Sequence, residues 1–144
     1  MRVDFHFNVD HRLHYACRVT RKARAAGKSI LAYAREADRL ARFDAALWTF
    51  SALDFLPHVY ADSPLAADTP ILLTLTPLPQ PGRDVLLMLD DEPPPDFAGW
   101  FGCFERVIDI AATEDAERER GRQRYRAYRA AGLEITNYDQ AGRE

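Results

Sequence analysis

Val3, Phe5 and Phe7 alternate with Asp4 and His6, a period of two that predicts an opening strand with one face turned to a core. The segment Leu13–Ala26 follows with helix-forming residues and a basic outer face, and Gly27 stops it. Lys28–Tyr33 reads as a second strand, and Glu36–Trp48 carries Leu40, Phe43, Leu47 and Trp48 at helical spacing. Strand and helix therefore alternate from the start. Because parallel strands need crossover connections, this order predicts an α/β fold of three layers, a mostly parallel sheet flanked by helices.

From Phe50 to His58 the pattern loosens around Pro57 and predicts a helix end followed by a loop with exposed apolar groups. Ile71–Leu75 and Val85–Leu89 are continuous apolar runs separated by Pro77, Pro79, Pro81 and Gly82, as expected of strands buried on both faces. After Pro93-Pro94-Pro95, a short helix is expected over Asp96–Phe104 and a last strand over Val107–Ile110. Thr113–Ala131 then reads as a long final helix, with Thr113 as N-cap and Gly132 as C-terminal stop. The chain of 144 residues, 47% hydrophobic, suits one domain over residues 1–144.

Charge narrows the function classes. A net charge of -3 argues against a protein that coats nucleic acid with its whole surface, since neutralising phosphates takes an excess of Lys and Arg. The charge is nevertheless clustered: six arginines lie between Arg118 and Arg129 against the single acid Glu119, while Asp84–Asp96 is acidic and proline-rich. No apolar run approaches the ~20 residues that span a bilayer, so no membrane association is expected. Two cysteines without a CxxC spacing fit a reduced cytoplasmic protein.

Several tempting constellations have plainer readings. Gly27-Lys28-Ser29 resembles the end of a phosphate loop, but Lys22 stands where the earlier glycine belongs and the segment joins a helix to a strand. His11 and His14 could present two metal ligands on one turn, yet no third ligand stands at a characteristic distance, and His6 and His58 read as strand or surface histidines. Cys103, flanked by Phe101 and Phe104, reads as a buried cysteine. Asp90, Asp91, Glu92 and Asp96 read as a solvated acidic turn. No residue is assigned to catalysis, to a cofactor or to a metal.

Two surfaces remain. On a helical wheel at ~100° per residue, Arg118, Arg122, Tyr125 and Arg129 fall within an arc of roughly 60°. Three guanidinium groups beside a phenol suit an anion that carries an apolar side chain, because guanidinium makes paired hydrogen bonds to carboxylate or phosphate. The same residues would also serve as a solvated helix face with weak ion pairs. Trp48, Phe50, Phe55, Leu56 and Pro57 either close the bottom of the core or form an exposed patch of the kind that marks protein interfaces.

The sequence resembles the chi subunit family of the bacterial DNA polymerase III holoenzyme, which are clamp-loader accessory proteins. The match is carried by Asp44-Ala45-Ala46-Leu47-Trp48 with Phe55-Leu56-Pro57-His58, by Arg83-Asp84-Val85-Leu86-Leu87, and by Arg122-Gln123-Arg124-Tyr125-Arg126-Ala127-Tyr128-Arg129 running into Ala131-Gly132. The resemblance implies a nucleotide-binding-like fold without a phosphate loop, and a non-catalytic member of a polymerase assembly. It also implies two protein partners and only indirect contact with DNA. One partner is the psi subunit, for which the family's apolar patch matches Trp48, Phe55, Leu56 and Pro57. The other is the acidic C-terminal tail of the single-stranded-DNA-binding protein, which ends in a phenylalanine carboxylate; its site matches Arg122, Tyr125, Arg126 and Arg129, with Arg118 at the edge. The sequence departs from the family in a more charged first strand and in the small residues Ala111 and Ala112, where the wall of the tail pocket would form. Two rival readings are a nucleotide-binding α/β enzyme and a direct binder of single-stranded nucleic acid through the Arg and Tyr stripe.

Overall fold

The computed structural model describes residues 1–50 and 55–142; part of the loop expected after Phe50 thus lies outside the described residues. The elements run β1 (Arg2–Val9), α1 (Arg12–Ala25), β2 (Ile30–Tyr33), α2 (Ala37–Thr49), β3 (His58–Tyr60), β4 (Ile71–Thr74), β5 (Val85–Met88), α3 (Phe97–Phe101), β6 (Arg106–Ala112), α4 (Asp115–Ala130) and β7 (Ile135–Asp139). Among the described residues the strands form one sheet of seven in the order β3-β4-β2-β5-β6-β1-β7, and every neighbouring pair is parallel.

Side-chain alternation along the central strands separates two cores. Ile30, Ala32, Ile71, Leu73, Ile108 and Ile110 pack with Ala16, Cys17, Leu40 and Phe43 of α1 and α2 on one side. Leu31, Tyr33, Leu86, Val107 and Ala111 pack with Phe101 of α3 and Tyr128 of α4 on the other. The three-layer α/β architecture is thus a consequence of strands that are apolar on both faces, each needing its own helical cover. Gly27, at φ 78°, ends α1 as expected, because the left-handed turn that closes a helix suits a residue without Cβ. Lys28 then pairs with Glu105 and Ser29 hydrogen-bonds Asp84, so this glycine–lysine–serine segment is tied down at the entry to β2.

Several expectations need correction. The strand at Val107–Ile110 is not the last: β7 follows α4 and pairs with β1 from Val3↔Ile135 to Phe7↔Asp139. As a half-exposed edge strand, β7 shows little hydrophobic alternation, which hid it. His58 belongs to a short strand, β3, rather than to a loop. The N-cap of α4 is Glu114, whose carboxylate accepts from the backbone N–H of Ala116 and Glu117, while the Thr113 N–H still bonds Val9 across the sheet. α3 is shorter than expected; its last residue, Phe101, and Phe104 in the turn that follows are buried, while Cys103 is turned outward, and the buried thiol is Cys17. Among the described residues no helix is long and apolar enough to cross a membrane.

His6 sits within this sheet under Tyr138, whose ring stacks on it at 4.7 Å, and its Nδ1 lies 2.6 Å from the Tyr15 hydroxyl. Burial pushes its pKa down from 6.5 to about 4, with Asp4 pulling the other way and Arg106 and Lys22 adding to the fall. A base whose folded pKa is depressed stabilises the fold above its unfolded pKa and loses that contribution as pH falls toward the folded value. Unfolding should therefore take up a proton between pH 6.5 and about 4, weakening the fold by at most about 1.4 kcal/mol per pH unit. Urea midpoints measured across this window should fall more steeply for the parent protein than for His6→Gln; parallel slopes would exclude His6 as the titrating group.

Candidate functional site

α4 owes its orientation to one buried ion pair. Arg124 points inward, and its Nε lies 2.9 Å from Oδ2 of Asp109, a fully buried residue of β6. The Tyr128 hydroxyl donates to the same carboxylate, and Arg124 also donates to the backbone carbonyls of Ile110 and Asp91. Burial by itself would lower the Arg124 pKa, but the attraction of Asp109 and the hydrogen bond to it leave the pKa raised. Burial, reinforced by Asp109, drives the Tyr128 pKa well above its usual value. Gly121 completes the contact, since a Cβ there would stand 2.6 Å from the Ala111 Cβ. Helix and strand can approach this closely only without that atom.

With Arg124 and Tyr128 anchored inward, Arg122 and Arg126 are exposed and Tyr125 is half-buried against the core. Arg118, Arg122, Tyr125 and Arg126 line one cavity of about 500 Å³ together with Gly121, Phe5, Phe7 and Asn8 of β1, Ala111 and Ala112 of β6, and Asn137 of β7. The cations lie at the rim. Arg118 pairs with Asp115 at 3.0 Å, while Glu119 stands 3.5 Å from Arg126 and 4.0 Å from Arg122, all exposed contacts of the weak kind. The wall is apolar. Phe5 packs edge-on against Tyr125 with ring centroids 5.2 Å apart, and the Tyr125 hydroxyl accepts from Asn137. That hydrogen bond, with a second from Arg129, lowers the Tyr125 pKa.

The structure therefore brings together Arg118, Arg122, Tyr125 and Arg126, and leaves Arg129 beside the cavity, holding Tyr125. Phe5, Phe7, Asn8 and Asn137 are lining residues that sequence reasoning missed. Alternation in the first strand marked Phe5 and Phe7 as facing one side, but nothing local assigns them to α4. The small Ala111 and Ala112 do form part of the wall, and the aromatic rings of β1 supply the bulk that they lack.

On the other side of the sheet, at the end of α2, Trp48 is 54% and Phe55 74% exposed, whereas Leu56 is buried in the core and Pro57 is half-buried. Trp48 and Phe55 thus form a surface and Leu56 supports it from below.

The acidic turn is solvated only in part: Glu92 and Asp96 are exposed, as expected, but Asp90 and Asp91 are drawn into the protein. Asp90 is buried and accepts the Arg35 N–H, while the Asp91 carboxylate lies 2.9 Å from Arg39, 3.5 Å from Arg120 and 3.7 Å from Arg12. Arg12 is itself buried, donates to the carbonyls of Met88 and Asp90, and has its pKa lowered to about 10 by burial and by the neighbouring Arg124. Arg12, Arg39 and Arg124 thus gather at the carboxyl end of β5, bonded to the carbonyls of Met88, Leu89, Asp90 and Asp91, and open α/β sheets usually hold a ligand outside strand carboxyl ends.

The comparisons with known proteins bear on what such a surface serves. Residues 1–136 match the family model described as DNA polymerase III chi subunit, HolC. The chain belongs to the DNA polymerase III chi subunit family. It is 30% identical over 141 residues to the DNA polymerase III subunit chi of Pseudomonas aeruginosa, covering 95% of each chain. It is 28% identical over 120 residues to the subunit chi of Escherichia coli strain K12, covering 83% of this chain and 79% of that protein. Membership of the chi family gives the protein an accessory role in DNA replication as part of DNA polymerase III.

Proposed function

We propose that this chi-family protein is a non-catalytic adaptor of the DNA polymerase III assembly in the cytoplasm. In this reading it holds the psi subunit through the surface around Trp48 and Phe55, and the C-terminal tail of the single-stranded-DNA-binding protein through the α4 cavity. The observation that carries the proposal is the cavity itself, in which Arg118, Arg122 and Arg126 ring an apolar wall of Phe5, Phe7 and Tyr125. An anionic chain end with an aromatic side chain satisfies both halves: guanidinium takes the carboxylate and the rings bury the side chain. A phosphate would use the cations and leave the wall idle. Against the rival enzyme reading, Arg12 and Arg124 at the carboxyl end of β5 are already bonded to carbonyls and carboxylates of the protein.

Because the tail has to be ordered on binding and its acids meet exposed arginines, affinity should be modest and should fall with salt. Several tails on one DNA-bound protein would raise the effective strength. The test is calorimetric titration with a peptide ending in phenylalanine, as free acid and as amide, against an oligonucleotide of equal charge. The free acid should bind at least tenfold more tightly than the amide, which loses the charged hydrogen bond. Equal affinity of acid and amide, or tighter binding of the oligonucleotide, would reject tail recognition. Retention of psi on the immobilised protein, lost in Trp48→Ala, tests the second contact.

A further inference from the structure

We infer that His58, pinned by Asp44, is a positioning residue that seats the Trp48 indole for the protein partner bound there. The inference rests on the reading of Trp48 and Phe55 as a partner surface, and adds how that surface is held ready. Asp44 and Trp48 are one turn apart on α2 and so lie on the same helix face. His58, the first residue of β3, inserts between them. Its side chain is wholly buried, with Nε2 2.7 Å from the Asp44 carboxylate and 3.2 Å from the Asp44 carbonyl, and Nδ1 2.7 Å from the Leu56 carbonyl. With an acceptor facing each ring nitrogen, either tautomer makes a hydrogen bond that fixes the plane of the ring. The indole of Trp48 lies on that ring, centroids 4.3 Å apart and planes at 41°, and Phe55 flanks it at 6.0 Å.

An indole that is more than half exposed is ordinarily free to change rotamer, and ordering it on binding costs free energy. Here one face is already occupied by a ring that cannot turn away, so Trp48 is held with its other face and the adjoining Phe55 turned to solvent. Buried aromatic anchors dominate protein interfaces, and an anchor that is already ordered binds with less entropic loss. The partner chemistry follows: an aliphatic or aromatic side chain that inserts against Trp48 and Phe55. Asp44 keeps a third of its side chain exposed, and burial, with the charge of Asp44, raises the pKa of Tyr60.

The experiment uses the full chain carrying Trp100→Phe, which leaves Trp48 as the sole indole, because the chain has two tryptophans. Into it are placed Asp44→Ala, Asp44→Asn and His58→Ala, with circular dichroism and the melting temperature recorded for each. Two readouts are compared: acrylamide quenching of Trp48 fluorescence, and affinity for purified psi. Asp44→Ala and His58→Ala should raise the quenching constant and weaken psi binding about tenfold, while Asp44→Asn, which keeps an oxygen acceptor for Nε2, should stay near the parent in both. Unchanged quenching in folded Asp44→Ala overturns the inference, and so does weakened psi binding without a change in quenching, which would make Asp44 or His58 a direct contact. Should His58→Ala fail to fold, the partly exposed Asp44 variants decide the matter. If the parent does not bind psi at all, the psi assignment falls, while the quenching series still tests the seat of Trp48.

Discussion

Replacing Arg124 by methionine should lower the unfolding free energy by about 3–5 kcal/mol, the usual cost of stranding one member of a buried ion pair. Asp109 is fully buried, and without Arg124 its side-chain partners among the described residues are the Tyr128 hydroxyl and Arg12, whose nearest nitrogen is 3.6 Å away. Urea unfolding at neutral pH reads the loss directly. Converting both partners, Arg124→Met with Asp109→Leu, should recover part of it, because neither member of the pair is left charged and alone, although the buried Tyr128 hydroxyl loses its acceptor and Arg12 one of its counter-charges. A loss below about 1 kcal/mol in the single variant would mean that the pair does not anchor the helix. The consequence reaches the cavity. Arg124 sets the rotation of α4, so even a folded Arg124→Met protein should bind the tail peptide more weakly than the parent, although Arg124 does not line the site.

Arg122→Ala should weaken the tail complex by on the order of 1.5–3 kcal/mol, the range for a hydrogen bond to a charged group. Of the cations at the rim, Arg122 is the one least engaged by the protein itself, with Glu119 no nearer than 4.0 Å; Arg118 already bonds Asp115 at 3.0 Å and should matter less. Loss of affinity should be much smaller against the amidated peptide, since the missing charge no longer has its partner. Glu119 provides the opposite case. It competes for Arg122 and Arg126, so Glu119→Ala should tighten the complex by less than about 1 kcal/mol, the worth of an exposed pair. Full tail binding by a folded Arg122→Ala protein would remove this residue from the site. Calorimetry with acid and amide peptides separates these outcomes.

The α/β class was legible because strand and helix alternate with clear periods: Ile71–Leu75 and Val85–Leu89 read as doubly buried strands, and the structure has fully buried strands at Ile71–Thr74 and Val85–Met88. The same regularity placed Arg118, Arg122 and Tyr125 on one helix face, since 3.6 residues per turn is a property of the backbone alone. Edges and ends were harder. β7 and β3 lie at the rims of the sheet, where half-exposed strands carry weak alternation. Nor could wheel geometry decide which of six arginines turns inward. Arg124 does so because Asp109, fifteen residues earlier, lies beneath it, and no local pattern marks a carboxylate within an apolar strand as the counter-charge of a distant helix.

Sequence by itself determined the elements other than β3 and β7, the sided helix and the aromatic segment after α2, because these follow from short-range periodicity. Tertiary structure alone decided that Phe5 and Phe7 of the first strand stand against Tyr125 or Arg122 of the last helix, and that His58 lies beneath Trp48. Those contacts depend on strand order, with β1 between β6 and β7, and strand order is set by how two cores are covered rather than by any one segment.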